Sequence, residues 1–223
     1  MKKIITILLS LFMILSLAAC GNSADRTEQP STEDTGTSEL QPTEANSPTN
    51  AEVPEEPEVQ GTKVLVAYFS ATNTTKGVAE HIANGLDADI YEIVPEEPYT
   101  DADLNYNDNN SRTTIEMNDS NARPAISGSV ENMEDYDIIF IGYPIWWGEA
   151  PRIVSTFVES YDFSGKTIIP FCTSGGSGIG SSATNLEQLT DGADWLSGKR
   201  LNGSDSQDTV MEWVNSLGLD FGE

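Results

Sequence analysis

The stretch Val64-Leu65-Val66-Ala67-Tyr68-Phe69-Ser70-Ala71-Thr72-Asn73-Thr74-Thr75 decides the fold of this chain. Six apolar residues in an unbroken run mark a strand buried on both faces, the habit of a parallel sheet with helices on either side. Small hydroxyl and amide residues follow at once. From Thr74 to Leu86 the apolar residues Val78, Ile82 and Leu86 recur at helical period. Strand, tight polar turn and helix together are the opening of a βαβ unit.

The same alternation continues outward. Ile90 to Val94 reads as a second, shorter strand, Asp137 to Tyr143 as a strongly buried third, and Thr167 to Thr173 as a fourth that carries Pro170 awkwardly. Asp194 to Leu201 is a weak edge strand. Helices are expected over Pro151 to Ser160, with proline in the first turn, over Ser181 to Leu189 and over Asp208 to Leu217. Between strands two and three, Pro95 to Ala125 is long and polar, with one helix near Arg112 to Asn118. Five strands alternating with helices imply a doubly wound α/β sheet whose ligands bind at the carboxyl ends of the strands.

Three loops at those ends carry the chemistry. Ser70, Thr72, Asn73, Thr74 and Thr75 lead into the first helix. Hydroxyls and free N–H groups there can cradle a phosphate without a basic residue, because the helix dipole supplies positive potential. On its own this loop reads equally as a multiply capped helix without a ligand. It lacks the paired glycines and Gly-Lys-Ser/Thr ending of a Walker loop. After the third strand comes Pro144-Ile145-Trp146-Trp147-Gly148, where an indole offers a flat stacking surface and glycine allows close backbone approach. The tryptophans could instead pack in the core, but adjacent aromatics point in different directions. After the fourth strand, Thr173-Ser174-Gly175-Gly176-Ser177-Gly178 presents N–H donors.

The three loops, in this order, resemble those of the long-loop flavodoxins, and the resemblance runs from about Lys63 to Leu217. It implies a flavodoxin-like three-layer sandwich with a five-stranded parallel sheet, order 2-1-3-4-5. It also implies FMN at the switch point: Ser70 and Thr72 to Thr75 on the phosphate, Pro144 to Gly148 against the isoalloxazine, and Thr173 to Gly178 at its pyrimidine edge. Glu97-Pro-Tyr and Asn121 to Pro124 look family-like, while the acidic, Asn-rich stretch between them departs from the pattern and leaves open whether it covers the flavin.

The chain opens with Lys2 and Lys3 followed by an apolar run from Ile4 to Leu17, a signal-peptide pattern too short for a stable span. It ends in Leu17-Ala18-Ala19-Cys20-Gly21, which looks like a bacterial lipobox. Residues 1–19 are then a lipoprotein signal and Cys20 the lipid acceptor, unless the segment is an ordinary secretory signal in which Cys20 is incidental. Multiple acyl chains hold a protein on a membrane where one would not. Residues 20–61 are almost wholly Thr, Ser, Glu, Pro, Gln, Asn and Ala, a composition that cannot offset its ordering entropy. They read as a tether of roughly 35 Å root-mean-square reach, ahead of a domain over 62–223.

That domain holds 26 acidic and eight basic residues, so it is near −18 within a chain of net charge −25. Nucleic acid and direct adhesion to anionic lipid are disfavoured, since both need basic stripes. Beyond Cys20, Cys172 is the only cysteine, which excludes a disulfide within the mature chain; it reads as a small buried hydrophobe. His81 lies far from the strand ends, Lys76 could serve a phosphate or be solvated, and the acids lack metal-ligand spacing. The expected function is an FMN electron carrier anchored outside the cytoplasm and serving redox proteins or small acceptors. The alternative is an FMN-dependent reductase moving electrons from NAD(P)H to quinones or similar acceptors. A scaffold that has lost its flavin is a third class.

Overall fold

The computed structural model describes residues 61–222. The signal segment, Cys20 and the tether as far as residue 60 lie outside the described residues. Among the described residues no helix is long and apolar enough to cross a membrane.

The elements run in chain order as β1 (Val64–Tyr68), α1 (Thr74–Leu86), β2 (Asp89–Glu92), β3 (Val94–Pro95), α2 (Arg112–Asn118), β4 (Ile126–Ser127), β5 (Ile138–Pro144), α3 (Arg152–Glu159), β6 (Thr167–Thr173), α4 (Ser182–Glu187), β7 (Asp194–Trp195), β8 (Lys199–Leu201) and α5 (Gln207–Asn215). The main sheet is parallel, in the order β2-β1-β5-β6-β7, with β8 also on β6. Counted by its principal strands this is the expected 2-1-3-4-5 order.

Alternation with period two sends each strand's side chains to opposite cores. Val64, Val66, Tyr68, Ile138, Phe140, Ile169 and Phe171 meet Val78, Ile82, Val210 and Val214 of α1 and α5. Leu65, Ala67, Phe69, Ile139, Ile141, Ile168 and Cys172 meet Ile153, Val154, Phe157 and Leu186 of α3 and α4. The side chains of both cores are buried, so the sheet carries the loops at its carboxyl end on a packed base. A three-layer flavodoxin-like sandwich results.

Four expectations need correction. The fifth strand is two short pieces: β7 pairs with Thr167 and Ile168, β8 with Phe171 to Thr173, and the break faces Ile169 and Pro170. Pro170 has no N–H to give an outer neighbour, and at Gly198 a side chain would collide with the Pro170 ring and carbonyl. The second strand stops at Glu92, and Val94–Pro95 instead pairs antiparallel with Ile126–Ser127 in a separate ribbon. Pro151 is the N-cap of α3 rather than part of its first turn. Helices α4 and α5 are shorter at their C-terminal ends than the periodicity suggests.

The Asn-rich stretch before α2 is a chain of local turns. Thr100 donates its N–H and hydroxyl to Asp103 at 2.9 and 2.7 Å, while Asn105 and Asp108 accept the N–H groups of Asn107 and Asn110. Such side chains outcompete helix formation by bonding the nearby backbone. Ser111 then caps α2 through the Thr114 N–H.

Candidate functional site

A cavity of about 290 Å³ opens at the carboxyl ends of β1 and β5. Ser70, Ala71, Thr72 and Thr75 form one wall, Pro144, Trp146 and Trp147 another, and Leu104, Tyr106 and Thr113 a third. The turn-rich segment before α2 therefore does border the site, and Tyr106, 72% exposed, stands at its rim. A larger cavity of about 500 Å³ lies at the opposite end of the sheet, beside Lys63, Asp89 and Phe221, away from the three loops.

The first wall leaves the start of α1 without a side-chain cap. Asn73, the N-cap residue of α1, has left-handed backbone (φ 61°) and makes no side-chain capping bond. The Thr72 and Thr74 hydroxyls meet only each other, at 3.3 Å. Among the described residues no protein acceptor meets the N–H groups of Ala71 to Thr75. Ser70 completes the pattern, because its hydroxyl is buried with no hydrogen-bond partner. A helix end left open in this way beside a buried orphan hydroxyl can accept an anion. The reading as a multiply capped helix does not hold.

The second wall is a tight turn. Trp146 and Glu149 exchange both N–H···O bonds at 2.9 Å, and the central residues Trp147 and Gly148 have φ of 49° and 85°. Positive φ at both positions defines a type I′ turn, a place for Asn or Gly. Trp147 stands there as a non-glycine outlier, 48% exposed at the cavity rim. Trp146 takes the other role, packed edge-on against Phe69 and Tyr99 with ring centroids 5.5 Å from each. Adjacent tryptophans thus divide between an aromatic core and a free face. Tyr99 is fixed in turn by donating to Glu116 at 2.6 Å and by the Arg112 guanidinium 4.2 Å over its ring. Its phenol is pushed up by burial and by the Glu116 carboxylate.

The third loop is coupled to the cavity without lining it. Thr173 bonds the buried Thr75 hydroxyl at 2.8 Å, and its carbonyl accepts the Ile145 N–H at 2.9 Å, so the end of β6 ties both walls together. Ser174 donates to the Ser177 carbonyl and accepts from the Gly176 N–H. Gly175, Gly176, Ser177 and Gly178 are not among the lining residues, and neither are Asn73, Thr74, Ile145, Gly148, Thr173 or Ser174. Sequence reasoning missed Ala71, a small residue within the first loop, Thr113, on the expected helix, and Leu104 and Tyr106, which come from a segment with no helical period to flag them. It also missed Arg200, whose Nε and terminal nitrogen donate to the Ser174 hydroxyl and carbonyl at 3.1 Å.

Other candidates fall away. Lys76 pairs with Glu92 at 3.8 Å, and Glu92 also accepts from Tyr68 at 3.0 Å. Burial pushes the Cys172 thiol up to about 11, against the pull of Arg200, so it is not a thiolate at neutral pH. The arrangement suits a flat aromatic ligand with an anionic tail: apolar walls and a free indole at one end, unpartnered donors at the other.

Fold and site together define an α/β protein of the flavodoxin type. Residues 63–217 match the family model described as flavodoxin, and the chain belongs to that family. Two solved structures of provisionally assigned flavoproteins, from Bacteroides eggerthii and Bacteroides uniformis, are 46% and 47% identical to it, each with a TM-score of 0.67. They cover 71% and 70% of this chain and 99% of their own. A flavoprotein from Lactobacillus acidophilus, solved in complex with FMN, shares the fold at 24% identity and a TM-score of 0.52, covering 69% of this chain and 99% of its own. No curated protein matches the chain.

Proposed function

We propose that the domain binds FMN in the cavity at the ends of β1 and β5 and carries electrons between redox partners outside the cytoplasm, tethered by lipid on Cys20. The observation that carries the flavin reading is the pairing of an open helix end and the orphan Ser70 hydroxyl with the strained, exposed indole of Trp147. Family membership supports it, as does the Lactobacillus relative crystallised with FMN. The residues present fit the group: Ser70, Thr72 and the N–H groups of Ala71 to Thr75 would hold the phosphate, with Trp147, Tyr106 and Leu104 against the ring. FMN, when bound, supplies the electron-transfer chemistry. The protein's own part is to hold it, to exclude water with Trp146 and Leu104, and to set the field around it with the acidic excess of the domain.

The lipobox pattern ending at Cys20 and the net charge near −18 support a carrier held at a membrane by acyl chains rather than by basic residues. The purified protein is expected to be yellow, to retain FMN through gel filtration and to show no appreciable steady-state oxidation of NAD(P)H with a quinone. Rapid turnover would replace the carrier with a reductase, and a colourless protein with no flavin affinity would remove both. For the anchor, Cys20→Ser is expected to shift the protein from the membrane fraction to an unprocessed or soluble form.

A further inference from the structure

Arg200 lies on β8 opposite Cys172, one residue from the end of the strand. Its half-buried guanidinium donates to the Ser174 hydroxyl and carbonyl at 3.1 Å and to the Asn202 side-chain oxygen at 2.8 Å. Among the described residues it makes no ion pair with a carboxylate. Asp205, which feels its charge, is occupied by the Asn202 N–H at 2.7 Å. Of the other arginines on this domain, Arg112 pairs with Glu116 and Arg123 with Glu159, both at 2.6 Å, while Arg152 donates to the backbone carbonyls of Met117 and Asp119, on the far side of the Trp146 turn from the first helix end.

The surroundings of Arg200 lead to the first helix end by two routes. Thr173, next to the residue it clamps, bonds the Thr75 hydroxyl at 2.8 Å. The turn after β8 lies against Thr74, since a methyl group at Gly203 would overlap the Thr74 side chain. The nearer candidate in sequence, Lys76, is drawn to Glu92 instead. We infer that Arg200 is a specificity-determining, positioning residue: it braces the Ser174 turn and supplies, from behind the Thr173–Thr75 hydroxyl pair, the positive charge that favours a phosphate-bearing flavin over one without phosphate. This rests on the flavin reading and adds to it a residue outside the cavity lining. In a domain of net charge near −18, a dianionic tail meets an unfavourable background field, and one unpaired guanidinium close by offsets part of it.

The test is a pair of titrations, FMN and riboflavin, on the wild-type protein, Arg200→Gln and Arg200→Lys, followed by flavin fluorescence with circular dichroism of each flavin-free form. Arg200→Gln is expected to lose roughly tenfold in FMN affinity while riboflavin affinity holds within about twofold. Arg200→Lys keeps the charge but not the fork, and should retain most of the preference for FMN. Equal losses for both flavins would reduce Arg200 to a structural brace and overturn the inference, as would a preference unchanged in Arg200→Gln. A wild-type protein that binds neither flavin overturns the flavin reading itself, and the inference with it. Should Arg200→Gln not fold, Arg200→Met is titrated with both flavins in its place, and a preference for FMN equal to that of the wild type overturns the inference.

Discussion

Trp147 carries a cost that a turn without a ligand would not retain. A non-glycine residue held in left-handed backbone costs about 1 to 2 kcal/mol, and the indole recovers little of it while 48% exposed. Trp147→Gly should therefore stabilise the flavin-free protein by about 1 kcal/mol in urea unfolding while weakening flavin binding. A variant less stable than wild type would show that the indole packs rather than waits. The threonines divide differently. Thr72 is exposed and its hydroxyl meets only Thr74 at 3.3 Å, whereas that of Thr75 is buried and bonded to Thr173. Thr72→Ala should cost FMN about 1.5 to 3 kcal/mol of binding with riboflavin spared, the price of a hydrogen bond to a charged group. Thr75→Val should also lower stability in the flavin-free state, because it leaves the buried Thr173 hydroxyl unpaired; paired flavin titrations and melts separate the two. At this scale the sequence revealed the residue types in the loops but not their division of labour, since nothing in Trp146-Trp147 states which indole faces the core.

The elements were most legible where burial is two-sided. The apolar runs of β1, β5 and β6 declare themselves because both faces meet helices, and α1 keeps its period because one stripe must be buried. Illegibility begins where side chains bond their own backbone: the segment from Thr100 to Ser111 follows Asx turns, so neither period applies, and its contribution of Leu104 and Tyr106 to the site could not be read from pattern. The two-residue strands β3 and β4 are too short for alternation to show. A packing test belongs here as well. Gly142 sits in β5 where any Cβ would enter the Phe171 ring. Gly142→Ala is thus expected to lower stability by about 1 to 3 kcal/mol, measured by urea denaturation, and an unchanged midpoint would mean that the two strands can separate at no cost.

Across the whole molecule, alkaline pH is the exposed flank. Burial raises the Cys172 thiol to about 11 and the Tyr136 phenol to about 12, and lifts Tyr68, Tyr91 and Tyr143 in the same direction. Each folded value lies above its unfolded one, so the unfolded chain releases protons first. The stability from these groups is full below the unfolded values, near 9 for the thiol and 10 for the phenols, and is lost as pH rises through the folded ones. Melting temperature should fall between about pH 9 and 12, followed by ellipticity on heating at each pH; a melting temperature that stays level across that window would contradict this. Added salt should soften the fall by screening a domain near −18. The doubly wound sheet was legible from the alternation, and the strand order from the family resemblance. The break in the fifth strand was foreshadowed by Pro170, yet only its meeting with Gly198 shows where that proline's missing donor points. That interruption also bears on colloidal behaviour. An unbroken outer strand invites a neighbouring molecule to continue the sheet, and many copies crowded together would seed ordered aggregates. Here the outer ladder is cut into a two-residue and a three-residue piece, with charged Asp194 and Lys199 at their starts. The same proline that interrupts the strand denies a second copy a continuous edge to extend on that side of the sheet.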